Sequence, residues 1–177
     1  RMALRKCFEG RPGVVHLDIP ENIMNTKVRC EINFWEPHQY RMIELPKASQ
    51  YQVERAAQLL KSAEFPMIHA GSGVLHAGAK QELTEVAESL QAMVTTSWAG
   101  RGAMSEDNPL MMPMVHIEAN NNVRNDADVV LILGSRLGET DWWGKAPYWN
   151  ANQKVIQVDL EPSILGANKP AELIIQS

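Results

Sequence analysis

Short apolar segments recur along the C-terminal part of the chain, and polar or amphipathic stretches separate them. The segments cover residues 67–70, 92–96, 128–133, 154–158 and 173–175. Their length and their β-branched residues are typical of strands, and residues 128–133 (DVVLIL) are apolar enough to be buried on both faces, as parallel strands are. Strands that alternate with long crossovers predict an α/β fold, with an open, parallel, Rossmann-like sheet flanked by helices in three αβα layers.

Two stretches, one before the first of these strands and one after it, show the helical spacing of apolar residues. The first begins with a capping box of Ser49 and Gln52, and the second follows Ala79. The apolar face of the first comprises Val53, Ala56, Ala57, Leu60 and Ala63. That of the second comprises Leu83, Val86, Ala87 and Leu90. A third, weaker pattern predicts a helix within residues 111–124.

The first 46 residues have a different pattern from the rest. Residues 2–9 look like the middle of a helix, residues 10–13 (GRPG) end it, and residues 14–19 (VVHLDI) predict a strand. Two such elements cannot bury each other, so we expect residues 1–20 to belong to another domain and the chain to be an excised fragment. Residues 21–46 lack a steady period and predict an extended linker to a domain of residues 47–177.

Composition is that of an ordinary globular protein, with 45% hydrophobic and 21% charged residues. A net charge of -4 without a cluster of Lys or Arg argues against nucleic acid as a partner. No apolar run approaches the roughly 20 residues that cross a bilayer, so we expect no membrane association. Cys7 and Cys30 are too few for a disulfide framework or a zinc site, and with no signal-peptide pattern they favour a reducing, cytoplasmic location.

A glycine turn, Gly71-Ser72-Gly73, directly follows the first predicted strand of the larger domain. Glycines between a strand and a helix let the backbone turn sharply and let a phosphate approach the helix start. The dinucleotide fingerprint requires a third glycine where His76 stands, and Gly78 comes two residues late. The motif is therefore compatible both with a nucleotide site and with a turn that serves packing.

Ligands of open parallel sheets bind at the carboxyl ends of the strands, and several candidate groups follow those ends. They are residues 71–73, 97–99 and 134–136, together with Asp159. Arg136 is placed either to meet a phosphate or to form a surface ion pair. Asp159 is placed either to accept from a ribose hydroxyl or to cap the following turn.

Other chemistries receive less support. Ser72 lacks the Gly-x-Ser-x-Gly context of a hydrolase, and the five histidines show no metal-ligand spacing. A dehydrogenase requires an acidic residue where the second strand ends in Thr95-Thr96-Ser97. We expect His69 to be a core or edge residue. The aromatic segment 142–149 favours a loop anchored on the core or at a subunit interface over a platform for a flat ligand.

Several segments together resemble, in order, the thiamine-diphosphate enzymes, and among them acetolactate synthase large subunits and similar 2-oxo-acid decarboxylases and lyases. Residues 13–20 (GVVHLDIP) look like the closing strand of their pyrimidine-binding domain. Further matches to their central domain are residues 70–74 (AGSGV), 94–96 (VTT), 100–103 (GRGA), 107–110 (DNPL), 125–137 (NDADVVLILGSRL) and 156–162 (IQVDLEP).

This resemblance implies a three-domain parent enzyme that decarboxylates or cleaves a small 2-oxo acid, and whose carbanion can pass to an acceptor. Thiamine diphosphate would be bound there through Mg²⁺ at the interface of a homo-oligomer, a dimer or a tetramer. The catalytic glutamate would lie upstream of Arg1 and the Gly-Asp-Gly metal motif beyond Ser177. No catalytic residue and no metal ligand are expected within this chain, which alone would be inactive.

Acetolactate synthases hold FAD in the central domain, and the resemblance carries its contacts to a set of positions here. They are Gly71, Ser72, Gly73, Ser97, Trp98, Ala99, His116, Gly134, Ser135, Arg136 and Asp159. The family's Gly-Met-His-Gly is Met-Val-His-Ile at residues 114–117, and its acidic and basic residues after Arg136 are Gly138 and Thr140. These departures favour a structural site over bound FAD or ADP. The alternative to a thiamine enzyme is a self-sufficient nucleotide-binding module for electron transfer or regulation.

Overall fold

Five parallel strands form one open sheet in the computed structural model, which describes residues 1–177. The strands are β1 (Pro66–Ala70), β2 (Met93–Thr96), β3 (Val129–Leu133), β4 (Lys154–Asp159) and β5 (Leu173–Gln176). They lie in the order β2-β1-β3-β4-β5. The α/β prediction and the five strands predicted in the C-terminal part are confirmed. Pro66 stands at the first position of its strand, where a missing N–H is tolerated.

Six α-helices accompany the strands: α1 (Met2–Cys7), α2 (Glu21–Met24), α3 (Gln50–Lys61), α4 (Ser72–Ala77), α5 (Lys80–Leu90) and α6 (Ile117–Asp126). The capping box of α3 is present, since Ser49 Oγ accepts from the Gln52 N–H and Gln52 Oε1 accepts from the Ser49 N–H. The weak helical pattern of residues 111–124 corresponds to α6, which begins only at Ile117. The glycine turn contains a short helix that the pattern did not predict, α4, and Gly78 ends it in the left-handed conformation.

The two faces of the sheet differ in composition. The apolar face, which α3 and α5 cover, carries Ile68, Val94, Leu131, Ile156 and Ile175. The mixed face, which α6 and the segment 137–149 cover, also buries polar and charged side chains. On it lie Met67, Val130, Ile132 and Val155 from the strands, Val123 from α6, and Leu137 and Trp149.

The chain forms two units, Arg1–Leu45 and Pro46–Ser177. In the first unit no residue is buried. The predicted strand at residues 14–19 is wrong: these residues are irregular and Val14 is fully exposed, because the chain offers no neighbouring strand for pairing. The segment predicted as an extended linker contains α2 and a 3₁₀ turn at Pro37–Gln39. None of the helices is long and apolar enough to cross a membrane.

Candidate functional site

The loops that follow the strands converge at the carboxyl edge of the sheet. The strand ladder continues into these loops, since the N–H of Gly71 donates to Leu133 O (2.8 Å), that of Ser97 to Ala70 O (3.0 Å) and that of Gly134 to Val158 O (2.9 Å). The first residues after β1, β2 and β3 are therefore held side by side at the same edge. Sequence reasoning placed the candidate groups at this edge, and the strand order brings their backbones together.

Glycines at this edge allow loops to touch each other. A Cβ on Gly71 would lie 2.2 Å from Gly134 O, and one on Gly73 would lie 2.5 Å from Gly134 Cα. A Cβ on Gly100 would lie 2.3 Å from Ala70 O. Gly134 itself has φ +57°, a conformation that favours glycine. Packing of loop against loop therefore accounts for these glycines without a ligand.

Three of the predicted polar groups hold their own turns. Ser97 Oγ accepts from the Gly100 N–H at 3.1 Å, and Ser135 Oγ accepts from the Leu137 N–H at 3.2 Å. Asp159 Oδ1 accepts from the Glu161 N–H at 2.9 Å, which is the turn-capping role considered for it above. These side chains shape the edge before any ligand is present.

Other predicted groups are directed to solvent. Arg136 is exposed and its guanidinium forms no hydrogen bond or ion pair within the chain, so the surface ion pair considered for it is absent. Trp98 is 58% exposed, and Ala99 is exposed beside it. At this edge, a guanidinium for an anion and an indole for a flat ring are thus the groups that remain free for a ligand.

Two depressions of the surface lie away from Arg136 and Trp98. A broad open one of about 920 Å³ lies between the start of α5 and residues 101–106, with Lys80, Thr84 and the Arg101–Glu106 ion pair (3.1 Å) in its lining. A smaller one of about 340 Å³ lies at the start of α6 and contains His116, which is exposed there. Of the predicted site residues, His116 borders the smaller of these two depressions. No group of three or more His, Cys, Asp or Glu side chains is arranged to hold a metal ion.

A buried polar cluster lies on the mixed face, close beneath the carboxyl edge, and sequence reasoning missed most of it. His69 is fully buried in β1, with Nδ1 3.0 Å from Thr95 Oγ1 and Nε2 3.5 Å from Asp141 Oδ1. Arg124 Nη2 lies 3.7 Å from the same Oδ1, and Trp149 Nε1 donates to Asp141 O at 2.8 Å. We call His69, Thr95, Arg124, Asp141 and Trp149 the buried polar cluster. His69 is therefore a core residue, the first of the two positions predicted for it.

The carboxylate of Asp141 is the centre of the cluster. Its burial raises the pKa, but the neighbouring His69, Arg124 and Ser135 side chains together outweigh that effect and hold the pKa below its usual range. Burial lowers the pKa of Arg124, and the charge of Asp141 opposes this. Two polar atoms of the cluster, His69 Nε2 and Arg124 Nε, have no hydrogen-bond partner. The carboxylate of Asp141 is thus held by the charge of Arg124, while hydrogen bonds hold His69 to Thr95 and Trp149 to the Asp141 backbone.

Comparison with known proteins assigns the family. Residues 53–177, most of the chain, match the family model described as "Thiamine pyrophosphate enzyme, central domain". The chain belongs to this family. The match begins within α3 and includes all five strands, so the parallel sheet described above is the sheet of the thiamine pyrophosphate enzyme central domain.

Curated relatives include several members of this family with different names. A probable acetolactate synthase large subunit of Methanocaldococcus jannaschii is 31% identical over 99% of this chain and 30% of its own length. Glyoxylate carboligase of Escherichia coli O157:H7 is 30% identical over 94% of this chain and 28% of its own length. Sulfoacetaldehyde acetyltransferase of Castellaniella defragrans is 32% identical over 93% of this chain and 28% of its own length. The chain thus spans less than a third of the length of these relatives.

The edge of this central domain fits a dinucleotide only in part. Arg136 and Trp98 are free to contact a phosphate and a flat ring, whereas the side chains of Ser97, Ser135 and Asp159 already cap turns. The contact of Gly71 and Gly73 with Gly134 closes the space between the first and third loops. The residues present therefore suit an anion held at the surface better than a ligand enclosed between these loops.

The central domain also carries an exposed aromatic turn beside the buried polar cluster. Trp142 and Trp143 have φ of +54° and +50°, which is costly for side chains of this size, by about 1–2 kcal/mol each. Trp142 stacks on Tyr148 (4.0 Å between ring centroids, 16° between planes), while Trp143 is 44% exposed. The predicted aromatic segment thus contains one core anchor, Trp149, and an exposed turn that the anchor holds.

Proposed function

We propose that this chain is the central part of a longer thiamine-diphosphate-dependent enzyme that decarboxylates a small 2-oxo acid and passes the product to an acceptor. The observation that carries the proposal is the family match over residues 53–177 together with relatives named as synthases and a carboligase. These relatives are more than three times as long as the chain, which leaves room for the rest of an active site. Thiamine diphosphate, held with Mg²⁺ by those other parts, supplies the electron sink for decarboxylation.

Within that enzyme the central domain serves as a scaffold and a subunit contact in a homo-oligomer. Its polar edge groups stabilise their own turns, and its buried charges compensate one another, as expected of a domain that contributes no catalytic group. Residues 1–20 belong to the preceding domain and residues 21–46 are the linker. The lack of any buried residue in Arg1–Leu45 supports this division, since apolar residues such as Leu17 and Ile19 need a partner surface.

The test is an assay of the complete enzyme with thiamine diphosphate and Mg²⁺. Release of CO₂ from pyruvate or glyoxylate, with a condensation product identified by mass, is the expected result, and the chain of residues 1–177 alone should release none. Failure of the complete enzyme to consume any short 2-oxo acid would refute the proposal.

A second proposal concerns the ligand of the carboxyl edge. FAD or an adenine nucleotide such as ADP would bind here through its phosphates to Arg136, with a flat ring on Trp98. An absorbance spectrum from 300 to 550 nm and mass analysis of heat-released nucleotide would detect either ligand. Adenine nucleotide affinity should fall about tenfold or more in Arg136→Gln and stay unchanged in Arg29→Gln, an exposed arginine of the first unit. If neither variant binds less tightly than the wild type, Arg136 does not hold a phosphate.

A further inference from the structure

The Trp142–Trp143 turn is held by contacts that lie beneath it. Trp149 Nε1 donates a hydrogen bond to Asp141 O, as described above. Lys169 Nζ donates to Gly144 O at 3.2 Å and to Asn150 O at 2.8 Å. The N–H groups of Asp141 and Trp143 both donate to Gly138 O. Asp141 directly precedes the turn, and its carboxylate contacts His69 of β1 and Arg124 of α6.

The closed turn also contains features that oppose it. Trp142 and Trp143 are non-glycine residues with positive φ, and each would relax if the segment opened. The buried His69 Nε2 and Arg124 Nε atoms lack partners and would gain water on opening. The apolar face of the sheet has no residue with positive φ, and Thr96 Oγ1 is its one buried polar atom without a partner. Opening of this segment exposes Trp149 and the few side chains that it touches, whereas unfolding of the sheet exposes both hydrophobic clusters, so we expect opening to cost less free energy.

We propose that the carboxylate of Asp141, paired with Arg124 and in contact with His69, is a lock that keeps the segment 138–150 closed, and that the segment opens as a separate unit while the sheet stays folded. Opening withdraws Trp149, which belongs to the segment, from the mixed face, and it separates Asp141 from Ser135, one of the candidate groups of the carboxyl edge. The lock is a conformational device that links the exposed tryptophans to the carboxyl edge, and it does not depend on the function proposed above.

Hydrogen exchange of the chain in low concentrations of denaturant tests the separate opening. The amides of Trp143, Lys145 and Trp149, which donate within the segment, should exchange through an opening that denaturant barely accelerates. The amides of Leu131 and Ile156 in the central strands should exchange only through an opening that denaturant strongly accelerates. If both groups follow the same denaturant dependence, the segment opens only with the whole domain and the proposal is overturned.

A substitution tests the lock itself. Asp141→Asn keeps the shape of the side chain and removes its charge, and it should raise exchange of the segment amides about tenfold or more with little change in the central strands. Asp107→Asn, at an exposed carboxylate without a side-chain contact, is the matched control and should change neither. Equal acceleration throughout the domain, or none anywhere, contradicts the lock. Should Asp141→Asn not fold, the wild-type exchange measurement above decides.

Discussion

The two faces of the sheet are formed by the same five strands but bury different kinds of side chain. The apolar face packs Ile68, Leu131 and Ile156 against two amphipathic helices, and nearly all of its buried side chains are hydrocarbon. The mixed face has one helix, and an irregular segment supplies the rest of its cover. There, buried His69, Arg124 and Asp141 share space with Trp149.

This difference separates the interactions that stabilise the domain from the interactions that fix the path of its backbone. Burial of apolar area gains free energy without requiring a particular geometry, whereas buried charges are costly unless each is compensated by the others. The apolar face can therefore supply most of the stability, and the mixed face fixes the path of one segment. Substitutions on the two faces should differ in size and kind.

The largest effect is expected on the apolar face. Ile156→Ala should lower the free energy of unfolding by about 2–5 kcal/mol, because the side chain is fully buried and its neighbours cannot fill the cavity. Ile174→Ala, in the paired strand β5, is the matched control, since Ile174 is 50% exposed and should cost under about 1 kcal/mol. Urea unfolding followed by circular dichroism measures both. Equal losses would mean that β5 lies against a cover other than solvent.

Sequence patterns predicted the apolar face well, because its determinants are local. Runs such as residues 128–133 and the spacing of Leu83 and Ala87 carry the strand and helix signals within a few residues. The helix α4 escaped prediction because Ser72–Ala77 is too short to show a period. Gly78, in the left-handed position that ends it, was the available signal. The strand predicted for residues 14–19 failed because alternation alone does not form a strand without a partner.

The candidate site was predicted only at the level of the backbone. Parallel strands fix which loops share an edge, so Gly71, Ser97 and Gly134 were placed correctly. The buried polar cluster was not predicted, since His69, Arg124 and Asp141 come from a strand, a helix end and an aromatic loop that are far apart in the chain. Each looks ordinary in its own segment, and only strand order and loop path bring them together.

A smaller effect is expected where a polar group of the mixed face is replaced by hydrocarbon. Gln153 Nε2 donates to the carbonyls of Arg124 (3.0 Å) and Ala127 (3.1 Å) at the end of α6. Gln153→Leu should cost about 1–2 kcal/mol, because two buried carbonyls lose their donor while the unpartnered Gln153 Oε1 is removed. Gln81→Leu, on the exposed side of α5, should stay within about 0.5 kcal/mol. A neutral or stabilising Gln153→Leu would show that the mixed face behaves like the apolar one.

The smallest effect is the dependence on pH, and it reports on the lock directly. Because the pKa of Asp141 is lower in the folded state than the usual value of about 3.9, its contribution to stability is complete above that value and is lost as the pH falls through the folded pKa. Stability of the wild type should therefore fall more steeply below about pH 4 than that of Asp141→Asn, by at most about 1.4 kcal/mol per pH unit. The pKa of Asp128 is also lowered, because hydrogen bonds from the backbone N–H groups of Glu64 and Phe65 outweigh the effect of burial. Asp128 contributes equally in both proteins, so the difference between them isolates Asp141. Urea unfolding of both proteins from pH 6 to pH 3 gives the two slopes. Parallel curves over that whole range would show that the cluster does not favour the charged carboxylate.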